Sequence, residues 1–480
     1  MQKTMDAVFT ASDTQYLQHA ANYHVKLFWN LWKTRTIPEE GWNEALLTGF
    51  MQWLASIDSN NRVDITPVGA GEREGRVICP LVNRMHFNMS HGVGRSGNVA
   101  DVQPKALGSS MLSTIANNFA LQAIKIAGVT SCKGALVVPV ATGMAMMLCL
   151  SAFRKKNPTA THVIWCRIDQ KSCFKCILTA GLIPLIVEPV RDADSDALVT
   201  NLKKIEELLV EYKEKVLCVI TTTSCFAPRA PDSIVEVAKL CAEHKVNHLV
   251  NNAYGLQLKS ICEQLEESNK VGHIDAFVQS TDKNFQIPVG GAIIGTFKKS
   301  HIEPIAKIYP GRASAVPARD LVLTLLFLGR KGLLEQFDRR VQLYTILKEK
   351  LSHFADSIGE QVLNVPQNGI SLAMTLESIP RSKQTLFGSV LFNRGITGAR
   401  AISSNDYETK VDEYKFTNFG AHSSEDHVGY LNVACAIGMT EAEISELINR
   451  LEVNYHRFIR KSCRSTESPV DDEENHLEHG

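Results

Sequence analysis

The sequence predicts an α/β protein, in which a mainly parallel, seven-stranded sheet carries a helical N-terminal extension and a smaller α+β C-terminal domain. Three observations lead there. Short, near-continuous apolar runs recur from Ala135 onward, separated by stretches with helical spacing. Strands of that kind are buried on both faces, as in a parallel sheet covered by helices. The 480 residues are 44% hydrophobic and 21% charged, ample for a large core spread over two or three domains. Beyond Pro317 the pattern turns to long amphipathic helices with few strands.

Residues 1–125 read as the extension, helical and loop-rich. Trp29, Leu31 and Trp32 lie there among basic residues, and a Gly/Arg-rich region spans 69–97. Residues 126–316 hold the sheet. Strands are expected at 135–140, 162–167, 184–188, 216–221, 248–251 and 276–279, with a crossover strand at 292–297 after the pair Gly290 and Gly291. Helices are expected over 197–212 and 232–244. Residues 134–153 carry no charge and are long enough to span a bilayer. Pro139, Thr142 and Gly143 interrupt them, however, between a β-prone first half and a helical second half. A buried strand, a tight turn and a buried helix are predicted instead of a membrane span. Residues 317–465 form the small domain. The tail 466–480 is acidic and polar (Asp471, Asp472, Glu473, Glu474) and is expected to be disordered.

Lys plus Arg equals Asp plus Glu at 51 each, so overall charge announces no nucleic-acid partner and any basic surface must be local. No DNA partner is expected. The 12 cysteines are scattered through apolar segments (Cys149, Cys218, Cys241, Cys435), where they act as small core residues. With no apolar leader at the start, this points to a reducing cytoplasm. Cys173 and Cys176 form a lone C-x-x-C with no second pair at zinc-ligand spacing, so no metal is expected.

Three segments at predicted carboxyl ends of strands carry chemistry, and open α/β sheets bind ligands at those ends. Ala141, Thr142 and Gly143 join a strand to a helix start, where backbone amides and the Thr142 hydroxyl can cradle a phosphate. Asn251-Asn-Ala-Tyr254 closes another strand. Ser280-Thr-Asp-Lys283 lies just past a third. In this order the segments resemble the aminotransferase-like, fold-type I enzymes that use pyridoxal phosphate. Those enzymes carry a D-x-A-Y segment beneath the pyridine nitrogen and an S-x-x-K segment with the Schiff-base lysine. The resemblance implies pyridoxal phosphate on Lys283, with Asn251 and Ser280 beside it. Neutral Asn251 replaces the usual aspartate, so the ring loses an ion pair and is a weaker electron sink, which favours elimination over transamination. Gln170 can hydrogen-bond the ring, and Ser172 stands at a helix start.

The segments around 71–76, 91–97, 103–105 and 309–314 combine glycines, which let backbone approach a ligand, with arginine forks that grip phosphate. They suggest a second anion site, for a phosphorylated substrate. The strings GEREGR, HGVGRSG, VQPKA, VPVATGM, RIDQKSCFK, TTTSCFAPR, VNNAYG, DAFVQSTDKNF, VPVGGAI and YPGRASA then make the chain resemble the O-phosphoseryl-tRNA(Sec) selenium transferase family over about residues 41–460. The resemblance implies Lys283 as catalytic lysine and Arg73 near the cofactor. Arg95, Ser96, Gln103, Lys105 and Arg312 would surround the substrate phosphate. Glu72 would repel a free α-carboxylate, admitting only the ester. It further implies tRNA(Sec) charged with phosphoserine as partner, with contacts from Lys270 (where the family tends to have Arg), Arg400, and Lys461 in a basic C-terminal helix with Arg457, Arg460 and Arg464. Selenophosphate as donor and a homotetramer complete the expectation. Two alternatives stand beside it: a pyridoxal-phosphate lyase acting on a small phosphorylated amine, and a non-catalytic tRNA-binding relative.

Overall fold

The computed structural model describes residues 11–404 and 408–464. Seven apolar segments form the main sheet: β1 (Gly134–Val138), β2 (His162–Cys166), β3 (Ile183–Val187), β4 (Val216–Thr222), β5 (Asn247–Asn251), β6 (Ala276–Ser280) and β7 (Ala292–Thr296). Their order is β1-β7-β6-β5-β4-β2-β3. Strands β3, β2, β4, β5 and β6 run parallel, whereas β7 is antiparallel to both β6 and β1. The strand after Gly290 and Gly291 therefore reverses direction instead of crossing over, with Gly290 at φ 134° in the turn. All seven residues of β4 are buried, as a strand covered on both faces requires. Residues 134–153 resolve into β1, a turn and the first part of the helix Thr142–Lys156. No described helix is long and apolar enough to cross a membrane.

One helix starts later than its periodicity suggests. Leu198–Val199 pairs with Val190–Arg191 in a two-residue ribbon, and the helix Leu202–Tyr212 begins only after Asn201, whose side chain accepts from Lys204 N at 3.0 Å. Asn at that capping position satisfies an otherwise orphaned amide.

The helix Val316–Ser357 ties two cores together. Its first part (Leu321, Leu325, Leu326) packs with the helices Glu44–Ile57 and Leu107–Ile126 against one face of the sheet. Its second part (Leu343, Leu347, Leu351) packs with the helix Glu441–Arg464 against a small antiparallel sheet. That sheet consists of β8 (Ser371–Thr375), β9 (Arg400–Ile402) and β12 (Tyr430–Ala434) in the order β8-β12-β9. The two parts meet at Gly329, φ 64°, where a Cβ would stand 2.6 Å from Glu40 C. A hairpin, β10 (Glu408–Val411) and β11 (Tyr414–Thr417), reaches back to the main sheet, where Phe416 packs edge-on against Trp165 and Phe174. The tail 466–480 lies outside the described residues.

Candidate active site

Parallel strands put their carboxyl ends on one edge, and the predicted cofactor residues fall along that edge. Lys283 sits on the one-turn helix Thr281–Phe285 directly after β6. Ser280 caps that helix, and its N–H donates to Ala253 O at 2.9 Å. Asn284 Nδ2 donates to the same carbonyl at 2.9 Å, and Gln257 Nε2 to Lys283 O at 2.6 Å. These bonds lock the lysine's backbone to the end of β5. Lys283 Nζ stands 5.8 Å from the Tyr254 ring centroid.

Asn251 ends β5 and is 1% exposed. Its Nδ2 donates to Cys173 Sγ at 3.2 Å, while its Oδ1 is buried without a partner. A dry acceptor costs about 1–3 kcal/mol, so the position is built for a donor from outside the chain. The N–H of a protonated pyridine ring fits it. Tyr254 OH is likewise buried and unmet, and burial pushes the phenol well above its ordinary range, so it is available as a neutral donor.

Thr142 and Gly143 open the helix Thr142–Lys156, preceded by Ala141, whose carbonyl accepts from Ala145 N at 3.0 Å. A Cβ on Gly143 would stand 2.9 Å from Ser172 O, so only glycine lets the two helix starts touch. First-turn amides have no partner within a helix, and those beside Ser172 fit a phosphate. Gln170 Oε1 accepts from the Cys173 thiol at 3.5 Å. Cys173 and Cys176 are both buried in the helix Lys171–Thr179. Burial pushes the Cys173 thiol up, against the opposing charge of Lys283. All the predicted cofactor residues except Arg73 therefore gather on this edge.

Buried charges hold the edge in place. Arg167 pairs with Asp169 at 2.8 Å and Glu188 at 2.7 Å, and donates to Thr417 O at 2.7 Å. Asp169 Oδ2 accepts from the N–H groups of Gly420 and His422, and Asp169 N donates to His422 Nδ1 at 2.8 Å. Arg229 donates to both oxygens of Asp232 at 2.9 Å and to Arg167 O at 2.9 Å. The loop after β11 is thereby fastened beside Gln170.

The second predicted site is a cavity of about 290 Å³ lined by Glu72, Arg73, Glu74, Ser90, His91 and Arg312, among others. Arg312 Nε and Nη2 are buried without partners; burial and the neighbouring Arg73 push this guanidinium down, with Asp58 opposing. Lys105 is committed, donating to Arg73 O and pairing with Glu74 at 3.2 Å. Arg73 and Glu72 pair at 3.4 Å and are largely exposed. Arg95 and Ser96 stand exposed on a tight turn closed by Arg95 N to Asn98 O at 2.9 Å, outside the cavity. Gln103 N donates to Ser110 Oγ at 3.0 Å, and its side chain does not line the cavity. One chain thus assembles Arg73, Lys105 and Arg312, but not Arg95, Ser96 or Gln103 with them, and none of the residues around Lys283 lines this cavity.

Lys270 is exposed, 3.4 Å from Glu267. The Arg400 guanidinium lies 5.7 Å from the Phe226 ring, which itself stands 6.3 Å from Tyr254, so β9 approaches the lysine edge. Arg457, Arg460 and Lys461 are exposed on the helix Glu441–Arg464. Sequence reasoning gave no role to Tyr254 or His91, although both stood in the motifs that drew attention. It had no local signal for the Asp169–His422 contact, whose partners are far apart in the chain.

A sequence profile described as O-phosphoseryl-tRNA(Sec) selenium transferase, SepSecS, matches residues 57–456. The O-phosphoseryl-tRNA(Sec) selenium transferase of Caenorhabditis elegans is 50% identical over 463 residues, covering 96% of each chain. An archaeal O-phosphoseryl-tRNA(Sec) selenium transferase of known crystal structure superposes with a TM-score of 0.84 at 29% identity, over 93% of this chain and 98% of that one. A sphingosine-1-phosphate lyase of Burkholderia pseudomallei superposes at 0.52 with 11% identity, over 96% and 94% of the two chains, a likeness of fold alone.

Proposed function

The chain belongs to the O-phosphoseryl-tRNA(Sec) selenium transferase family, and from that membership we propose its reaction. The phosphate of O-phosphoseryl-tRNA(Sec) is eliminated from Cβ and replaced by selenium from selenophosphate, giving selenocysteinyl-tRNA(Sec). The chain is an enzyme, a selenium transferase of the fold-type I class.

Pyridoxal phosphate suits the residues around Lys283 and, when bound, supplies an electron sink for charge developing at Cα. Lys283 holds it. With substrate bound, Lys283 Nζ would be the base that removes the Cα proton. Asn251 would hold the ring nitrogen by a hydrogen bond without a counter-charge, which would weaken the sink and favour prompt loss of the β-substituent. Arg312, with Arg95, Ser96, Gln103 and Lys105, binds the phosphate and stabilises the charge that develops as it leaves. Glu72 meets a free α-carboxylate with like charge, whereas the tRNA ester carries none. Lys270 and Arg400 contact the tRNA, Arg400 at its acceptor end, and Lys461 on the basic C-terminal helix holds the tRNA backbone. In a homotetramer, partner subunits would bring the anion-binding residues to Lys283. The separation of the Arg312 cavity from the lysine edge within one chain supports that assembly. The reaction belongs in the cytoplasm.

The observation that carries the cofactor assignment is the partnerless Asn251 Oδ1, buried on the same strand edge as Lys283. The test is conversion of phosphoseryl-tRNA(Sec) with selenophosphate by wild type, Lys283→Ala and Arg95→Ala. Both variants should lose turnover, the first colourless after dialysis, the second still yellow and, once reduced with borohydride, carrying the cofactor fixed on Lys283. A wild-type protein that stays colourless with excess pyridoxal phosphate overturns the reading.

A further inference from the structure

His91 is 6% exposed, yet neither Nδ1 nor Nε2 meets a partner among the described residues. The backbone of Gly75, φ 68°, lies against the ring: a Cβ there would stand 3.1 Å from His91 Nε2 and 2.6 Å from Ser90 Oγ. An imidazole in the neutral form has one N–H and one lone pair, and native proteins rarely leave both dry. Its charged neighbours are Lys105 and Arg312 on one side of the balance and Asp58 and Glu74 on the other. Three of these four are already engaged. Asp58 accepts from Ser109 N at 3.0 Å and Ser109 Oγ at 2.7 Å, and Glu74 and Lys105 pair with each other. His91 and Arg312 remain as neighbours with unspent polar atoms in one cavity.

The proposed elimination requires a proton at this place. A phosphomonoester loses its second proton at about pH 6, so it arrives largely as a dianion. If the Cβ–O bond broke with nothing added, fully deprotonated phosphate would have to leave, a poor leaving group near neutrality. Arg73 and Arg312 cannot release protons, and Lys105 is held between Arg73 O and Glu74.

We propose that His91 is the proton-bearing member of the phosphate subsite, taking up a proton as the phosphoryl dianion enters and passing it to the oxygen that leaves Cβ. The proposal rests on the selenium-transferase reading above. The step balances. The Cα–H proton goes to Lys283 Nζ, and its electron pair becomes the Cα–Cβ double bond. The Cβ–O pair stays on oxygen, which takes the proton from His91. Hydrogen phosphate leaves, and the imidazole returns to neutral. Burial, with Lys105 and Arg312 adding to it, holds His91 below the ordinary imidazole range in the free enzyme. A bound dianion reverses that balance.

The test uses holoenzyme and sulfate, a tetrahedral dianion with no proton of its own to exchange near neutrality. Calorimetry in two buffers of different ionisation enthalpy should show uptake of close to one proton per sulfate. Affinity should weaken by about tenfold per pH unit above neutrality. His91→Gln should bind sulfate with no proton uptake and a flat pH profile. It should also exchange the substrate Cα proton with solvent while releasing phosphate at least about a hundredfold more slowly, in the range general-acid catalysis supplies. Sulfate binding by wild type without proton uptake, or an unchanged slope in His91→Gln, overturns the role of His91 and leaves the anion cavity standing. Failure of wild type to bind either sulfate or inorganic phosphate overturns the cavity and this inference together. The wild-type measurement decides even if the variant does not fold.

Discussion

Replacing Asn251 by Asp tests whether the edge of the sheet is shaped for a cationic ring. The change is isosteric and sits at a position that is 1% exposed, with Cys173 Sγ at 3.2 Å as its one side-chain contact. Burial raises a carboxyl by up to about 3–5 units from its unfolded value of about 3.9, and the charge of Lys283, which reaches the adjoining Cys173, offsets part of that rise. A carboxyl raised in the fold stabilises nothing at high pH: folding is unpenalised below the unfolded value and grows costlier until pH reaches the folded one. At about 1.4 kcal/mol per unit, the cofactor-free variant should lose up to about 1.5 kcal/mol at pH 5 and up to about 4 kcal/mol at pH 7. A protonated pyridine ring would pair the carboxylate and remove most of that penalty. Urea denaturation of cofactor-free and cofactor-loaded protein at the two pH values measures both effects, and absorbance reports the ring. A cofactor-free Asn251→Asp as stable as wild type at pH 7, or a penalty that pyridoxal phosphate leaves untouched, would refute the reasoning.

Three further outcomes are expected. Gly143→Ala places a methyl 2.9 Å from Ser172 O, which must push apart the two helix starts that fit the cofactor phosphate. Overpacking of this kind costs about 1–3 kcal/mol, and equilibrium dialysis should show pyridoxal phosphate bound at least about tenfold more weakly. Asp232→Asn strands Arg229, 1% exposed, and should destabilise the fold by about 3–5 kcal/mol, read as a lowered denaturation midpoint. His248 and His422 are held by burial at about 4, below the ordinary imidazole value of 6.5. Because the unfolded chain takes up protons first, stability falls as pH drops from about 6.5 to about 4, by at most about 3 kcal/mol per histidine. His422→Asn keeps an acceptor for Asp169 N and tolerates the φ of 67°. Its thermal midpoint should therefore vary less with pH than that of wild type, and an equally steep profile would count against His422 as a source.

The strands were legible because each is a short apolar run, and the structure starts and ends them within a few residues of the pattern. Direction was less legible: the reversal into β7 depends on Gly290 at φ 134°, which the pair Gly290 and Gly291 permits but does not compel. The start of the helix Leu202–Tyr212 was missed because Leu198 and Val199 suit either periodicity, and the ribbon with Val190–Arg191 decides it. On the lysine edge, Asn251, Ser280 and Lys283 were legible as motifs because fixed strand ends place them together. The contact of Asp169 with His422 was not, since no spacing rule links positions that far apart. His91 was visible as a letter and invisible as a site. Its significance lies in what the fold fails to give it, two ring nitrogens buried with nothing to bind.

The two anion sites differ in how they are held, and the difference bears on selectivity. Arg167, Asp169, Arg229 and Asp232 fix the lysine edge through ion pairs that are almost fully buried, where removing either partner leaves an uncompensated charge. The arginine cavity instead hangs on a loop with Gly75, Gly92, Gly94 and Gly97 at positive φ, and its Glu72–Arg73 pair faces solvent. Exposed pairs of that kind contribute about 0–1 kcal/mol, so the backbone here is held instead by Lys105, which donates to Arg73 O and pairs with Glu74, by Ser90 Oγ donating to Gly75 O at 2.8 Å, and by Val93 N donating to Ala313 O at 2.9 Å. Binding an anion there must meet the cost of ordering the exposed Glu72 and Arg73 side chains, and a substrate lacking the phosphate forfeits the contacts to Arg73 and Arg312. Discrimination between phosphoserine and serine in binding is then the energy of those contacts less that ordering cost. It leaves undisturbed the edge that carries Lys283, because the two sites share no lining residue within the chain.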